Sequence, residues 1–208
     1  MKVAELGRPE SQADAVRADI LRHATELFSH YGFNKTNIGD IATRCNMSPG
    51  NIYRYYRNKQ AIGLAVVRCH FDSIEAALET GLMIPEGTHE QRIRDFIETA
   101  VKYLADECAR NTKIVELAEF LIADEQGLEL LQEHIAWKRV RIAREIEHGM
   151  AEGNFQHCAP EDTARALLMS CQAFWTPMTL ARWRDPETII PELRMVLDLA
   201  FRGIRSQV

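Results

Sequence analysis

TNIGDIATRCNMSPGNIYRYYRNK, residues 36–59, reads as two short helices joined by a tight turn. Asn37 sits where an N-cap belongs, and Asp40 follows three residues later in the position of a capping box. The first helix then runs from Ile38 to about Cys45, with Ile41 and Ala42 turned inward. Asn46 falls at the turn, where a positive φ is expected and Asn is tolerated. Ser48-Pro49 is an N-cap followed by a first helical residue that needs no N–H. The second helix spans Pro49 to about Tyr55. It turns Ile52 inward and presents Gly50, Asn51, Arg54 and Tyr55 outward. This is the layout of a helix-turn-helix. Its outer residues suit a major groove: Gly50 permits close backbone approach, Asn51 and Arg54 hydrogen-bond base edges, and tyrosine hydroxyls reach phosphates. The same pattern also fits a helical bundle with a tight turn and no DNA function.

Working outward, Val16, Ile20, Leu21, Ala24, Leu27, Phe28 and Tyr31 keep to one face of a preceding helix, which Gly32 ends. Residues 1–12 read as a flexible arm, and its Arg8 is a candidate for an A·T-rich minor groove. Downstream, Asn58 caps a connecting helix from Lys59 to about Glu79. Longer helices are expected at about 89–109, 112–124, 126–152, 160–183 and 187–205. No run of strict alternation is long enough for a strand. The expected architecture is all-α, with a DNA-binding domain over 13–60 and a larger helical domain over 61–208.

The 208 residues carry a net charge of −5 that is unevenly placed. Residues 1–60 are net +3 and the remainder net −8, so a polyanion would meet the head rather than the body. The five cysteines are widely spaced with no CxxC pair, which points to reduced thiols. Without an export signal or a membrane-length apolar run, a cytoplasmic protein with no membrane partner is expected. The seven histidines show no HExxH spacing, and no GxSxG, Walker-type or Rossmann glycine pattern occurs. No metal site, cofactor or enzymatic activity is therefore expected.

Residues 36–42 and 47–59, with Ile20-Leu21, Ala24, Leu27-Phe28 and Gly32-Phe33 before them, resemble the DNA-binding domain of the TetR family of bacterial regulators. The resemblance covers about residues 17–66. It implies an N-terminal helix-turn-helix three-helix domain plus a C-terminal helical ligand-binding and dimerisation domain. It also implies phosphate contacts from Thr36, Tyr53 and Lys59. Two departures stand out. Asn46 replaces the family's usual turn glycine, and Tyr55-Tyr56 stand where His-Phe is common. Tyr56 can keep the aromatic packing role, whereas Tyr55 alters a phosphate or base contact.

In the body, a helix through 164–182 places Leu167, Cys171, Phe174, Trp175 and Met178 on one broad face and Met169, Ala173 and Leu180 on the other. The last helix repeats this, with Met195 and Leu199 leaving a second apolar patch. Helices apolar on two sides are buried on two sides, so these second faces are expected to meet a second copy of the chain; burial within a monomer is the alternative. Between about 128 and 150, Leu128, Leu131, Ile135, Ile142 and Ile146 form a stripe with Lys138 and Arg139 at its margins. Arg139 is a candidate for an anionic effector, or else snorkels or pairs with an acid. Phe96, Tyr103, Phe120 and Leu121, together with Trp137, Phe174, Trp175 and Met178, are candidates for the lining of a small-molecule cavity, or else simple core. Pro177 is expected to kink its helix. The function expected is a homodimeric repressor that a small-molecule effector releases from a near-palindromic double-stranded DNA operator. The rival from another class is a helical enzyme or ligand carrier without DNA binding.

Overall fold

The computed structural model describes residues 11–82, 87–180 and 186–206. Residues 1–10, and with them the minor-groove candidate Arg8, lie outside that range. Ser11 and Gln12, assigned to the arm by sequence, already belong to the first helix. The Ser11 hydroxyl accepts the Asp14 N–H at 3.2 Å, and helix α1 runs Gln12–Tyr31. Among the described residues the architecture is all-helical, with a single isolated bridge between Phe155 and Arg205. No described helix is long and apolar enough to cross a membrane.

The remaining elements are α2 (Ile38–Arg44), α3 (Pro49–Ile52), α4 (Lys59–Leu82), α5 (His89–Arg110), α6 (Ile114–Ala123), α7 (Glu125–Ala151), α8 (Pro160–Ser170), α9 (Pro177–Leu180) and α10 (Pro186–Arg202). They form two compact units. The first takes the described residues up to Ile74 together with Arg110–Leu131; the second takes Glu75–Ala109 and residues from Gln132 onward. The compact units thus do not divide at residue 60. Leu117 and Leu121 of α6 and Leu130 of α7 join Ile20, Ile41 and Ile52 in one buried cluster. Three short helices expose too much apolar surface to close a core alone, and α6 supplies the missing cover.

The first unit is also tied by polar contacts. Gly32, at φ 91°, ends α1, and its N–H reaches the Phe28 carbonyl. The Glu116 carboxylate of α6 accepts the Asn34 N–H at 3.1 Å, and the Asn111 amide donates to the Ser29 hydroxyl at 3.3 Å. Phe33 stacks on Phe120, ring centroids 4.4 Å apart. Gly63 lies under these two rings, and a Cβ there would meet Phe33 at 2.7 Å.

In the second unit, α5 and α10 are joined by a two-pronged ion pair. Arg194 Nε and a terminal nitrogen each donate at 2.8 Å to the buried Glu98 carboxylate, whose pKa is held below the ordinary value mainly by that hydrogen bonding. The sequence expectation of one helix over 160–183 is corrected. Helix α8 stops at Ser170, a 3-10 turn covers Gln172–Phe174, and α9 starts afresh at Pro177. Thr176 caps α9 by accepting the Thr179 N–H on its hydroxyl at 3.2 Å. Thr176-Pro177 is the same start signal as Ser48-Pro49, because proline disfavours helical backbone in the residue before it. The chain therefore breaks where only a kink is predicted. The expected break at Asp185-Pro186 falls partly outside the described residues.

The buried stripe of α7 is also shifted. Leu128 and Ile135 are exposed at 41% and 45%, whereas Leu130, His134, Lys138, Ile142 and Ile146 are buried. These five recur every four residues, so they follow one slowly turning row along the helix. Two polar residues sit in that row, which is why apolarity alone misplaced it.

Candidate DNA-binding site

Each local feature of the helix-turn-helix has its cause in the sequence. Asn37 and Asp40 form the expected reciprocal box: the Asp40 N–H donates to the Asn37 side chain at 3.1 Å and the Asn37 N–H to the Asp40 carboxylate at 2.8 Å. Such caps contribute about 1 kcal/mol each. Asn46 holds φ 54°, the positive value its position requires. The Ser48 hydroxyl accepts the Asn51 N–H at 3.2 Å. Ile52 is fully buried and anchors α3, while Gly50, Tyr53 and Arg54 are exposed and Asn51 and Tyr55 half-buried. After Ile52 the backbone tightens, with the Arg54 N–H reaching the Asn51 carbonyl at 3.2 Å and the Tyr55 N–H that of Ile52 at 2.9 Å. Helix α3 is therefore one turn long, and Arg54 and Tyr55 are carried on a continuing turn rather than on the helix itself.

The aromatic pair divides its labour. Tyr56 packs against the core cluster, and burial pushes its phenol up to about 12. Tyr55 also packs on that cluster, with the Arg17 guanidinium 5.9 Å above its ring.

Two phosphate candidates are placed differently from expectation. Thr36 is 2% exposed, and its hydroxyl donates to the Gly32 carbonyl at 2.8 Å. Its one proton is spent inside the α1–α2 connection, so it shapes that loop rather than offering a donor to solvent. Lys59 donates to the Phe33 and Asn34 carbonyls at 2.9 and 3.4 Å, and its ammonium lies 4.5 Å from the Phe33 ring centre. Burial holds its pKa below the ordinary value. Tyr53 alone of the three is open, at 53% exposure. Sequence reasoning passed over Lys35, the exposed cation of the same loop, and Arg57, exposed and bound to Gln126 at 3.0 Å. The available signal was charge in the segments flanking the motif.

A cluster of a different kind lies on α1 and α2. Asp19, His23 and Cys45 bring one potential ligand atom each within 4.8 Å of one another. Cys45 comes from the next helix, so no spacing rule in the sequence reveals it. The Arg22 guanidinium already bridges this group, at 2.6 Å from Asp19 and 2.8 Å from His23, and occupies the place of a cation.

In the second unit, Phe96 stacks on Trp137 with centroids 6.0 Å apart, and Trp137 carries the Arg141 guanidinium at 4.1 Å. Phe174 is buried; Tyr103, Trp175 and Met178 are half-buried. Phe120 and Leu121 are corrected: they belong to the first unit's core and do not join this group. Arg139 takes the acid-paired reading rather than that of an interior cation. Its Nε lies 2.9 Å from Glu161, though out of line for a hydrogen bond, and its side chain is 37% exposed. The buried cation is its neighbour Lys138. Of the residues nominated for a subunit contact, Met169, Met195 and Leu199 are 66%, 59% and 72% exposed, and Ala173 is exposed. Leu180 is 2% exposed and is corrected to core, because the break before α9 turns it inward.

Residues 20–66 match the family described as bacterial regulatory proteins, tetR family, and residues 89–190 match the tetracyclin repressor-like C-terminal domain. The chain belongs to the TetR family. Among relatives of this TetR-family protein, the HTH-type transcriptional repressor NicS of Pseudomonas putida is 27% identical, aligned over 99% of this chain and 100% of its own. A TetR/AcrR-family regulator from Thermobifida fusca has the same fold, with a TM-score of 0.68 at 21% identity over 90% of this chain and 97% of that one. So has RolR, solved with resorcinol, with a TM-score of 0.61 at 17% identity over 94% and 90%. The TetR-family chain is thus a DNA-binding transcriptional regulator.

Proposed function

We propose that the protein is a homodimeric repressor that reads a near-palindromic operator with α3 and releases it when a small molecule occupies the second unit. The observation that carries this reading is the polar outer surface of α3. Gly50, Asn51, Tyr53 and Arg54 face outward from a capped turn anchored by Ile52. In a two-fold dimer, two such turns spaced about 34–36 Å apart would meet successive major grooves on one side of a duplex. The interior of the second unit, with Phe96, Trp137 and Trp175, is of the aromatic kind that takes small flat molecules. RolR, solved with resorcinol, supports this by analogy of fold. The effector acts by preferring a conformation that fits the operator badly.

The direct test is a fluorescence-anisotropy titration of the protein with DNA from upstream of its own gene. Binding should be sequence-selective and weaken steeply with salt. Flat, non-selective binding at all salt concentrations counts against the reading. Asn51→Ala and Arg54→Ala should relax base preference, each by about 1–3 kcal/mol if the contact is bidentate. Tyr53→Phe should weaken binding evenly across sequences. Gly50→Ala separates fold from function. A Cβ there meets only the Ser48 hydroxyl at 3.9 Å, so the free protein should melt normally while DNA affinity falls at least tenfold.

The dimer is tested at Met195 and Leu199. A lone exposed apolar side chain is ordinary; two large ones four residues apart on α10, with Met169 exposed on α8, suit a subunit contact. The double change Met195→Glu and Leu199→Glu should lower the light-scattering mass at micromolar concentration from twice 23.8 kDa toward a single chain. A native protein already monomeric under those conditions would remove the dimer from the account.

A further inference from the structure

Helix α7 carries two polar residues in its buried row, and only one of them is partnered. His134 places Nδ1 2.6 Å from the Glu75 carboxylate and stacks its ring on Trp137. Lys138, 8% exposed, forms no hydrogen bond or ion pair among the described residues. Its ammonium sits 4.2 Å from the centre of the Trp175 ring. Trp175 has an unmet need of its own, since its indole N–H is buried without an acceptor among the described residues. A buried amine without an ion pair and a buried N–H without an acceptor among the described residues are both unfavourable, and interiors rarely keep two such groups together without a reason. Here they share one locus, and both are donors.

A bound anion satisfies both at once. The size and charge of that anion follow from the surroundings. Protonated, Lys138 is one positive charge; the other cations of α7 nearby, Arg139 and Arg141, are paired with Glu161 and Glu79. A single ammonium with one N–H matches a monoanionic carboxylate, whose two oxygens accept one bond from each. It falls one cation short of what a dianionic phosphate favours. Aromatic side chains are at hand: Trp175 lies below the ammonium, and Trp137, one position before Lys138 on the same helix, is stacked on Phe96.

We propose that Lys138 and Trp175 form the anion-recognising pair of the effector site, and that the effector is an arene carboxylate. This rests on the reading of the second unit as the effector-binding part. The carboxylate accepts from the Lys138 ammonium and the Trp175 indole N–H, and the arene lies against the aromatic side chains. Glu75 is paired with His134 and acts on the ammonium only through its charge.

The test is calorimetric titration of the full-length protein with benzoate, phenylacetate and 2-naphthoate, each beside its uncharged primary amide. At least one acid should bind at least tenfold more tightly than its amide, with quenching of tryptophan fluorescence. Lys138→Met should bring that preference to within twofold while circular dichroism and the melt report a folded protein. Lys138→Arg, which keeps the charge, should retain part of it. Trp175→Phe keeps a ring but loses the N–H, and should lower the preference without abolishing it. The proposal is overturned if no acid outbinds its amide, or if the Lys138→Met protein keeps the native preference. A parallel DNA titration of the native protein keeps the two readings apart. DNA binding with no acid preference sinks only this inference, whereas acid preference in a protein that binds no DNA sinks only the regulator.

Discussion

Lys138→Met is expected to stabilise the unliganded protein by about 2 kcal/mol at pH 7, which for a chain of this length raises the melting temperature by about 4–8 °C. Burial pulls the Lys138 pKa from 10.5 down to about 7, with the Glu75 carboxylate opposing that shift only as the smaller influence. The unfolded chain holds the proton up to about pH 10, whereas the folded protein releases it near pH 7. Between those values the unfolded state binds more protons, so raising the pH favours folding, by at most about 1.4 kcal/mol per pH unit. Methionine has a similar shape and no proton, so it avoids this cost, although it gives up the cation–π contact with Trp175.

The advantage of the variant should therefore be largest at and below pH 7 and shrink as the pH rises toward 9. Measuring the difference between the two proteins matters, because other groups titrate. Burial raises the thiols of Cys45, Cys69, Cys108 and Cys171, whose contribution falls away as they ionise above about pH 9 and opposes the lysine there. His134 and Glu75 face each other near Lys138. Calorimetric melts from pH 6 to 9 giving a constant difference, or a less stable variant at pH 7, would contradict the burial of an unpaired amine.

Gly127→Ala is the second large effect, with the opposite sign. Gly127 stands in the first turn of α7, where its N–H donates to the Asp124 side chain at 3.0 Å. A Cβ there would run into the Leu121 carbonyl oxygen and come within 3.0 Å of the Leu121 Cα and carbonyl carbon. These are backbone atoms of α6, and one residue, Asp124, separates the two helices. Neither helix can yield without disturbing the other. We expect a loss of about 3 kcal/mol, the upper part of the range for overpacking, and a fall in melting temperature of about 6–12 °C. Leu117, Leu121 and Leu130 line the same core as Ile41 and Ile52, so operator affinity should drop with it. Gly50→Ala, at an open position, is the matched control for the melt alone. A Gly127→Ala protein with native melting would mean that α6 and α7 do not meet as described.

The two variants also separate what local rules reveal from what they miss. The capping box of Asn37 and Asp40, the positive φ of Asn46, the Ser48-Pro49 start and the buried Ile52 all follow from interactions within four residues, and the structure has each as read. The signal at Thr176-Pro177 is equally local, but inside an apolar run it reads as a kink; the break that the structure has there takes Phe174, Trp175 and Met178 off one continuous helix face. Phe120 and Leu121 look like any other cavity aromatics and aliphatics. Their place beside Phe33 and Ile41 depends on contacts between residues some eighty positions apart.

Residues near one another in the chain specified the helix-turn-helix, its caps and its outward polar set, because backbone hydrogen bonding and side-chain spacing are settled over a few residues. Periodicity, however, assumes that buried rows are apolar. On α7 that assumption passes over His134 and sets Lys138 and Arg139 alike at the margins of the stripe. Which charges are paired, which hydroxyls are spent inward, and which helix closes a core depend on partners from distant segments. Those partners meet only once the chain has folded, and their long-range packing put a lone ammonium over Trp175.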